Sequence, residues 1–597
     1  MNNSKLKIEK NFWEIVFLFF ISFLYIILGI VFWGRQGHII VDCGRELYIP
    51  SAMLNGYVLY KDIFNIYGPL SYQINALLYI FFGENLNTLL FAGFCNGFLI
   101  IITLYLISKT VTSAINCFGF IFLVICSCIY STWICNYIFP YSYSIVYSLS
   151  SFLLSVLFLV YYVKYSKSEF AILSCFFIGI SIATKYEYYL YCVFLIFFLI
   201  FFKPLKIKNF CLAFLAMIFL PSISVSILFL QGLKLQDCID TWSLIQKLFY
   251  SSMTQSFYTE MTGLFFDKEI FFANLQRFWQ FWSNASLTLF IIYFFLWLMK
   301  RKELFNFNIS LNIKIALSIL FFFIFPFNLI NNVSHEFLFS WLPLSALCIL
   351  LFLLGQSFWK AKYKLGNLKR LLIDQKIFIL LSIISLLSAL KALFFLNLRV
   401  YGTFTFPLVF LVNFVFICEY IPNNIKRLDK RVWQISWLIF FLFVGSAFSM
   451  KYFQNSYEKN ISAFQSEKGT IYGDEDIVSP MSSAYKYLKE KSIKNFLVIP
   501  EGVILNFFTN IPSHNKYYYL IPQCVEIFGE EKVVQDLEQW LPDYIILNNR
   551  DLSEYGYSYI GKDFALKIFK FITENYTIEK KFTKGYFILY IAKKKGS

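Results

Sequence analysis

Long apolar runs are the feature that most constrains how this chain can fold. The segments Ile15–Trp33 and Phe194–Phe202 contain no charged residue. Charged residues make up 15% of the chain, whereas an ordinary soluble domain carries about 25%. Apolar stretches of about 20 residues can cross a bilayer as helices, because a helix satisfies its own backbone hydrogen bonds there. The sequence therefore predicts a polytopic α-helical membrane protein.

The apolar runs predict about thirteen spanning helices. No small-residue cleavage site follows the first run, so we expect it to stay as a spanning helix rather than to leave as a signal peptide. The predicted spans are 12–33, 86–108, 115–133, 143–163, 169–184, 187–202, 209–231, 284–299, 312–330, 338–356, 377–396, 404–421 and 433–450.

Basic residues cluster between these spans on one predicted face. The clusters are Lys5, Lys7 and Lys10 before the first span, Lys164 and Lys167 after the fourth, Lys203, Lys206 and Lys208 after the sixth, Lys300, Arg301 and Lys302 after the eighth, and larger groups at 360–376 and 426–431. The positive-inside rule makes that face cytoplasmic, which predicts a plasma (inner) membrane protein with its N-terminus inside. Because the charge is distributed as topology signals, the net charge of +16 does not indicate a nucleic-acid partner.

An odd number of spans places three large segments on the outer face. They are a first outer loop (34–85), a second long loop (231–282) and a tail (451–597) that follows a transmembrane core (1–450). The tail alternates strand-like with helix-like stretches, which predicts a small extracytoplasmic α/β domain. The predicted strands are Phe496–Ile499, Tyr544–Leu547 and Phe587–Ala592, and the predicted helices are Glu501–Phe508, Lys532–Leu541 and Lys562–Tyr576.

The first outer loop holds the densest set of chemically active side chains. Asp42 and Glu46 are four residues apart and would share one face of a helix, with Arg45 and Lys61 nearby in sequence. A carboxylate can accept the proton of an attacking hydroxyl, and a cation can stabilise a leaving phosphate. From residue types alone, solvated loop residues are the simpler interpretation.

The run from Asp42 to Gly83 resembles the first-loop signature of the C-type glycosyltransferase superfamily. It is most similar to bacterial members of family 39, which are related to protein mannosyltransferases and to the lipid A aminoarabinose transferase. Asp42 matches their acidic residue after the first span, and Tyr67-Gly68-Pro69-Leu70 resembles their Pro-Pro-Leu element before a membrane-surface helix. Gly68 departs from the pattern, since many relatives have proline there. In the tail, Pro500-Glu501-Gly502 and Glu554-Tyr555-Gly556 also look like elements of such transferases.

The resemblance implies an inverting glycosyltransferase with a polyprenyl-phosphate sugar donor. Its acceptor would be a hydroxyl of a lipid, glycan or protein at the outer face. Membrane lipids would surround the enzyme. Asp42 is implied as the general base, and Glu46 as the residue that positions the acceptor or a metal. No cofactor is firmly indicated. Because some relatives use a divalent metal, Asp42 with Glu46 is the candidate pair for one.

Other charged or polar residues are candidates for binding the substrate or its phosphate. Lys185 and Glu187 at an outer turn are either phosphate or sugar contacts or a local ion pair, and His335 and Arg399 lie in later outer turns. Arginine suits phosphate because its donors form a planar fork. The full set of binding candidates is Arg45, Lys61, Asp62, Tyr67, Lys185, Glu187, His335, Arg399 and Tyr401.

Two other functional classes remain open at this point. A flippase or transporter of lipid-linked sugars would usually carry acidic residues within its helices, whereas Glu14 and Glu419 lie at predicted span ends. A glycan ligase would be expected to place its charged groups in a large later loop.

Overall fold

The architecture is described here from a computed structural model. It describes residues 2–132, 135–262, 266–276, 342–360, 376–392, 400–425, 428–491, 493–513, 516 and 518–596, together with scattered positions between 279 and 294. The predicted spans 284–299 and 312–330 lie largely or wholly outside these residues, and so do His335 and Arg399.

Apart from its connecting turns and loops, the described part of the chain before the tail is helical. Its helices are α1 (Asn2–Val31), α2 (Cys43–Leu54), α3 (Leu70–Phe82), α4 (Leu86–Ser108), α5 (Ala114–Val124), α6 (Tyr143–Tyr165), α7 (Ser168–Thr184), α8 (Tyr189–Phe197), α9 (Ile207–Leu230), α10 (Leu235–Tyr250), α11 (Ser252–Thr262), α12 (Leu342–Lys360), α13 (Lys376–Ala389), α14 (Phe406–Val415), α15 (Ile421–Asn424) and α16 (Lys430–Gln454).

Seven helical segments among the described residues are long and apolar enough to cross a membrane, and shorter apolar helices accompany them. Every predicted span that falls within the described residues coincides with one of these helices. Helix α6 lies at the centre of the bundle, since 89% of the residues in its apolar stretch are buried. Helix α1 lies at the rim, where the corresponding share is 17%. The expectation of a polytopic α-helical membrane protein is confirmed.

The tail forms a small domain of mixed α/β structure. Its elements are β1 (Ser462–Ser466), β2 (Gly469–Gly473), α17 (Glu475–Glu490), β3 (Phe496–Ile499), α18 (Ile504–Thr509), α19 (Pro522–Phe528), α20 (Glu530–Trp540), β4 (Tyr544–Asn548), α21 (Leu566–Asn575), β5 (Tyr576–Lys584) and β6 (Phe587–Lys594). The sheet order is β3-β4-β6-β5, with β3 parallel to β4 and the other pairs antiparallel. Strands β1 and β2 form a separate hairpin.

The tail packs directly on the first outer loop. Helix α2 of the loop lies against α18 of the tail, and a Cβ at Gly44 would come within 2.7 Å of the Ile504 backbone nitrogen. One hydrophobic core runs from the helical bundle into the tail and includes Phe464 and Ile504. The loop and the tail therefore lie at the same end of the bundle.

The second long loop is helical and also reaches the tail. The Ser251 hydroxyl at the end of α10 donates to a Glu526 carboxylate oxygen at 2.5 Å. In α11, the Phe257 ring stacks on the Tyr555 ring with their centroids 5.4 Å apart. Both long loops thus pack against the tail.

Candidate functional site

Asp42 occupies a strained turn immediately before α2. Its backbone has φ 56° and ψ −55°, and the Cys43 N–H donates to the Val41 carbonyl at 2.6 Å across it. This is the rare γ-turn of positive φ, which costs about 1–3 kcal/mol in a residue other than glycine. The imidazole of His38 accepts from the Ile40 and Val41 amides at 3.3 Å each and so braces the turn. The Asp42 side chain remains about one-third exposed.

Arg45 holds Asp42 in place from the next turn of α2. A guanidinium nitrogen lies 3.1 Å from an Asp42 carboxylate oxygen and also donates to the Tyr141 carbonyl at 3.1 Å. The same guanidinium is 5.9 Å from the centroids of the Tyr67 and Tyr519 rings. Arg45 therefore links the carboxylate to three separate segments of the chain.

Glu46 is fully buried and joins three elements. One carboxylate oxygen accepts from the Tyr143 backbone N–H at the start of α6, at 2.8 Å, and the other from the Tyr72 hydroxyl of α3, at 3.1 Å. Burial raises the pKa of Glu46 to about 7, and the nearby Arg45 counteracts part of that shift. These contacts favour Glu46 as the anchor of α2 over a group that touches the acceptor.

The pair of Asp42 and Glu46 is a poor fit for a divalent metal. Both oxygens of Glu46 accept hydrogen bonds from the protein, and the Arg45 guanidinium contacts both carboxylates, at 3.1 and 3.6 Å. Among the described residues, no group of three or more His, Cys, Asp or Glu converges as a metal site would require. A metal-assisted step therefore does not fit these two carboxylates.

Lys185 brings a second cation to the first outer loop. Its ammonium lies 3.0 Å from a Glu187 carboxylate oxygen and donates to the Tyr141 hydroxyl at 2.7 Å. It also lies 4.8 Å from the centroid of the Tyr67 ring. Burial lowers the pKa of Lys185, and the facing Glu187 counteracts part of that shift. The Tyr67 ring thus lies close to two cations, Lys185 and Arg45.

Gly68 is explained by the close approach of α7. Its N–H donates to the Thr184 carbonyl at 3.0 Å, and a Cβ there would lie 2.1 Å from the Ala183 carbonyl oxygen. Proline lacks the donor and carries the Cβ, so it would break both conditions. Glycine in place of proline at position 68 therefore allows this loop to pack against the end of α7, next to Lys185.

The tail supplies residues that the sequence analysis did not single out for a role. Glu501 lies two residues beyond β3 and Arg550 two residues beyond β4, and because these strands are parallel both reach the same sheet edge. They form an ion pair. Burial raises the pKa of Glu501 to about 7, opposed by Arg550. A charged residue just after each hydrophobic strand was the signal that could have found them.

Asp42, Arg45 and Glu501 border one narrow crevice, which we call the Asp42 cleft. The cleft is lined by Ile40, Asp42, Arg45, Glu501, Gly502, Val503, Tyr518 and Tyr519. Of the predicted site residues, the structure brings together Asp42, Arg45, Glu46, Tyr67, Lys185 and Glu187 in this cleft and the contacts behind it.

The remaining predicted site residues are placed differently or lie outside the description. The Asp62 carboxylate accepts from the Val58 N–H at 2.8 Å and so closes a turn of the first loop, with Lys61 beside it. Among the described residues, no contact joins either of them to Asp42. His335 and Arg399 lie outside the described residues, and for Tyr401 only the backbone is described, in a short 3-10 turn, Val400–Thr405.

Comparisons with known proteins give matches in structure only. No family model and no curated protein sequence matches the chain. The structure is similar to ArnT from Cupriavidus metallidurans bound to undecaprenyl phosphate, at 10% identity, with 96% of this chain and 97% of that chain covered and a TM-score of 0.46.

A second similarity is to the archaeal oligosaccharyltransferase AglB from Archaeoglobus fulgidus in complex with an inhibitory peptide and a dolichol-phosphate. That match has 12% identity, covers 90% of this chain and 70% of that chain, and has a TM-score of 0.42. The apo form of the Archaeoglobus fulgidus oligosaccharyltransferase matches at 13% identity over 90% and 70%, with a TM-score of 0.45. At these values, a functional conclusion depends on this chain's own residues.

Proposed function

We propose that this protein is an inverting membrane glycosyltransferase that uses a polyprenyl-phosphate sugar donor. The acceptor hydroxyl would attack the anomeric carbon of the donor sugar, forming a new carbon–oxygen bond as the bond to phosphate breaks. The acceptor proton would pass to the Asp42 carboxylate. The observation that carries the proposal is the partly exposed, strained Asp42 at the cleft, paired with Arg45 and with Lys185 nearby beside the Tyr67 ring.

The leaving phosphate would be stabilised by the two cations beside Tyr67. Lys185 and Arg45 are both held in fixed positions by Tyr141, through its hydroxyl and its carbonyl respectively. Groups that are preorganised in this way need no rearrangement when charge develops on the leaving group, which makes electrostatic stabilisation effective. ArnT and AglB have been solved with lipid phosphates of the same class, but the proposal rests on the cleft.

The proposed orientation puts the cleft at the outer surface of the plasma membrane. At the end of the bundle away from the tail, the Lys203 ammonium donates to the Tyr162 carbonyl at 2.7 Å, and Lys430 lies 2.9 Å from Glu419. Basic residues at that end are expected on the cytoplasmic side. The tail domain and the Asp42 cleft would then be extracytoplasmic, at the depth of lipid headgroups.

The carboxylates near the spans do not favour a transporter. Glu14 pairs with Lys109, while Glu419 accepts from Asn116 at 3.0 Å and pairs with Lys430. Both acids are thus engaged in local contacts at the end of the bundle opposite the Asp42 cleft. Within the described residues, these contacts connect neighbouring helices. The acids of an ion-coupled carrier would instead lie within the membrane.

Lipid analysis of a deletion strain tests the proposed function. Without the protein, a polyprenyl-phosphate sugar should accumulate, and one cell-envelope glycan, lipid or protein should lose the corresponding sugar by mass spectrometry. Complementation with the intact gene should restore both. Unchanged lipid-linked sugars and envelope glycans in the deletion strain would contradict a transferase.

A further inference from the structure

A second cavity lies between α3, α4 and the β1–β2 hairpin, and it shares no lining residue with the Asp42 cleft. Its volume is about 840 Å³, which is within the range of about 300–1,000 Å³ that is usual for ligand sites. The proposed mechanism makes no use of this cavity. We call it the α3–α4 groove and define it by Ile74, Leu78 and Phe82 of α3, Phe91, Cys95 and Leu99 of α4, and the hairpin turn 466–469.

Two apolar helix faces form the walls of the groove. The three α3 residues are spaced four apart in sequence, and so are the three α4 residues, so each set shares one face of its helix. Phe82 is 63% exposed and Phe91 is 53% exposed. Helix α4 is long and apolar enough to cross a membrane, so this face meets the hydrocarbon of the bilayer. Because that region holds no water, lipid chains fill an apolar hollow that opens to it.

The end of the groove nearest the tail is polar and carries both signs of charge. Glu467 and Lys468 of the hairpin turn line it, together with Asn85 and Asn87 around the start of α4. The Leu86 N–H donates to the Lys468 carbonyl at 2.8 Å, so the hairpin lies over the first residue of α4, where a spanning helix reaches the headgroup region. Apolar walls that lead to a charged end match the shape of a phospholipid.

The charges at this end favour a zwitterionic headgroup over an anionic one. Lys468 pairs with Glu84, and Glu467 lies 3.0 Å from Lys489, so positive and negative charges balance. The Glu467 side chain is 81% exposed, and a surface ion pair of this kind is weak. Glu467 can therefore accept a hydrogen bond from a ligand ammonium, while the phosphate of the same ligand faces Lys468.

We propose that the α3–α4 groove binds one phosphatidylethanolamine molecule, with an acyl chain between the two helices and the headgroup beneath the hairpin turn. The headgroup ammonium donates to Glu467, and the phosphate accepts from Lys468. Glu84, which pairs with Lys468, also accepts from the Ser51 hydroxyl of α2 at 2.6 Å. The bound lipid therefore joins the membrane face of the bundle to the contact between the tail and the first outer loop. This inference does not depend on the proposed transferase activity.

Native mass spectrometry of the full chain in detergent tests the site, after exposure to equal amounts of phosphatidylethanolamine, phosphatidylcholine and phosphatidylglycerol. Cys95→Trp fills the groove. Cys211→Trp is its matched control, because Cys211 is also exposed on an apolar helix, α9, but does not line the groove. Glu467→Gln removes the charge that receives the ammonium, and Glu490→Gln on the exposed surface of α17 is its control. Thermal melting reports the folding of each variant.

The wild-type protein should retain one phosphatidylethanolamine and prefer it about fivefold over the other two lipids, as expected of one partly exposed ionic contact. Added phosphatidylethanolamine should raise the melting temperature, because a ligand of the folded state stabilises it. Cys95→Trp should lose at least about tenfold of the retained lipid, since overpacking a filled site is costly. Glu467→Gln should lose most of the preference, and both controls should behave like the wild type.

Two results would overturn the inference. Equal lipid retention by a well-folded Cys95→Trp protein and by the wild type would show that the lipid binds elsewhere. A preference for phosphatidylglycerol, or an unchanged preference for phosphatidylethanolamine in Glu467→Gln, would refute the headgroup contacts. If Cys95→Trp does not fold, the Glu467→Gln comparison decides alone. The proposed function stands in either case, because the experiment measures no step of sugar transfer.

Discussion

At the scale of single residues, the site depends on where charge is buried and what neutralises it. Arg45 lies between Asp42 and Glu46, yet the two carboxylates differ. Asp42 is partly exposed at the cleft, whereas Glu46 is buried and accepts two hydrogen bonds. An exposed carboxylate can meet a substrate hydroxyl and a buried one cannot. The division of roles between a base and an anchor follows from that difference.

Glu46 makes the stability of the protein depend on pH. Burial raises its pKa to about 7 from 4.5, so the folded chain binds this proton more tightly than the unfolded chain does. The contribution of this proton to the free energy of unfolding is therefore fully present below pH about 4.5 and is lost as the pH rises through about 7. Each unit of pKa shift corresponds to about 1.4 kcal/mol. Glu46→Gln stays uncharged and should remove this component.

Thermal unfolding of purified protein at pH 5 and pH 8 checks that prediction. The wild-type midpoint should fall more between the two values than that of Glu46→Gln. Glu490→Gln, on the exposed surface of α17, is the control and should follow the wild type. The same pH dependence in Glu46→Gln and in the wild type would show that Glu46 is not the titrating group.

The two lysines of the predicted phosphate site should differ in importance. Lys185 is buried beside Tyr67 and Glu187, whereas Lys61 lies in a separate turn beside Asp62. Lys185→Gln should lower kcat about a hundredfold, since one preorganised donor to a developing charge contributes roughly that factor. Lys185→Arg should retain more activity, and Lys61→Gln should stay within about threefold of the wild type. Initial rates of donor consumption measure this, and equal losses in both Gln variants would refute the assignment.

At the scale of secondary-structure elements, the first outer loop is held by backbone contacts that only glycine allows. Gly68 lies against the end of α7, and Gly44 lies against the start of α18. The first contact positions Tyr67 beside Lys185, and the second seats the tail on α2. The geometry of the cleft thus depends on two close approaches of backbone to backbone.

Gly68→Ala should destabilise the protein and lower its activity. The new Cβ would lie 2.1 Å from the Ala183 carbonyl oxygen, and an overpacked position typically costs about 1–3 kcal/mol. Gly355→Ala in α12 is the control, because nothing lies within 4 Å of its Cβ position. Melting temperatures in detergent should fall for Gly68→Ala and not for Gly355→Ala, and an unchanged melt of Gly68→Ala would contradict the packing described here.

In the tail, the continuously apolar strands could be predicted from the sequence, and the polar edge strand could not. The predicted strands Phe496–Ile499 and Tyr544–Leu547 coincide with β3 and β4, since continuous apolar runs mark buried strands. Strand β5 was missed and its first residue assigned to a helix, because lysines and other exposed polar residues occupy most of it, as is usual for an edge strand. The helix predicted from Glu501 begins only at Ile504, because Gly502 makes a turn first.

At the scale of the whole molecule, the cleft is shared between the first loop and a tail that lies more than 400 residues away in sequence. The sequence predicted Asp42, Arg45 and Lys185 from local motifs. Glu501, Arg550 and the tyrosines that line the cleft were not assigned to the site, because their position beside Asp42 depends on the contact between α2 and α18. The first loop and the tail hold each other in place, because one continuous hydrophobic core joins the bundle and the tail.

The most direct test of the account measures sugar transfer by purified protein in proteoliposomes, with Asp42→Asn compared with Asp62→Asn. Asp62 is the matched control because its carboxylate closes a turn through the Val58 amide, a bond that asparagine can also accept. Asp42→Asn should lose at least a hundredfold of the initial rate, as expected when a general base is removed, and should melt like the wild type. Asp62→Asn should stay within about threefold. Full transfer by a well-folded Asp42→Asn protein would contradict the account.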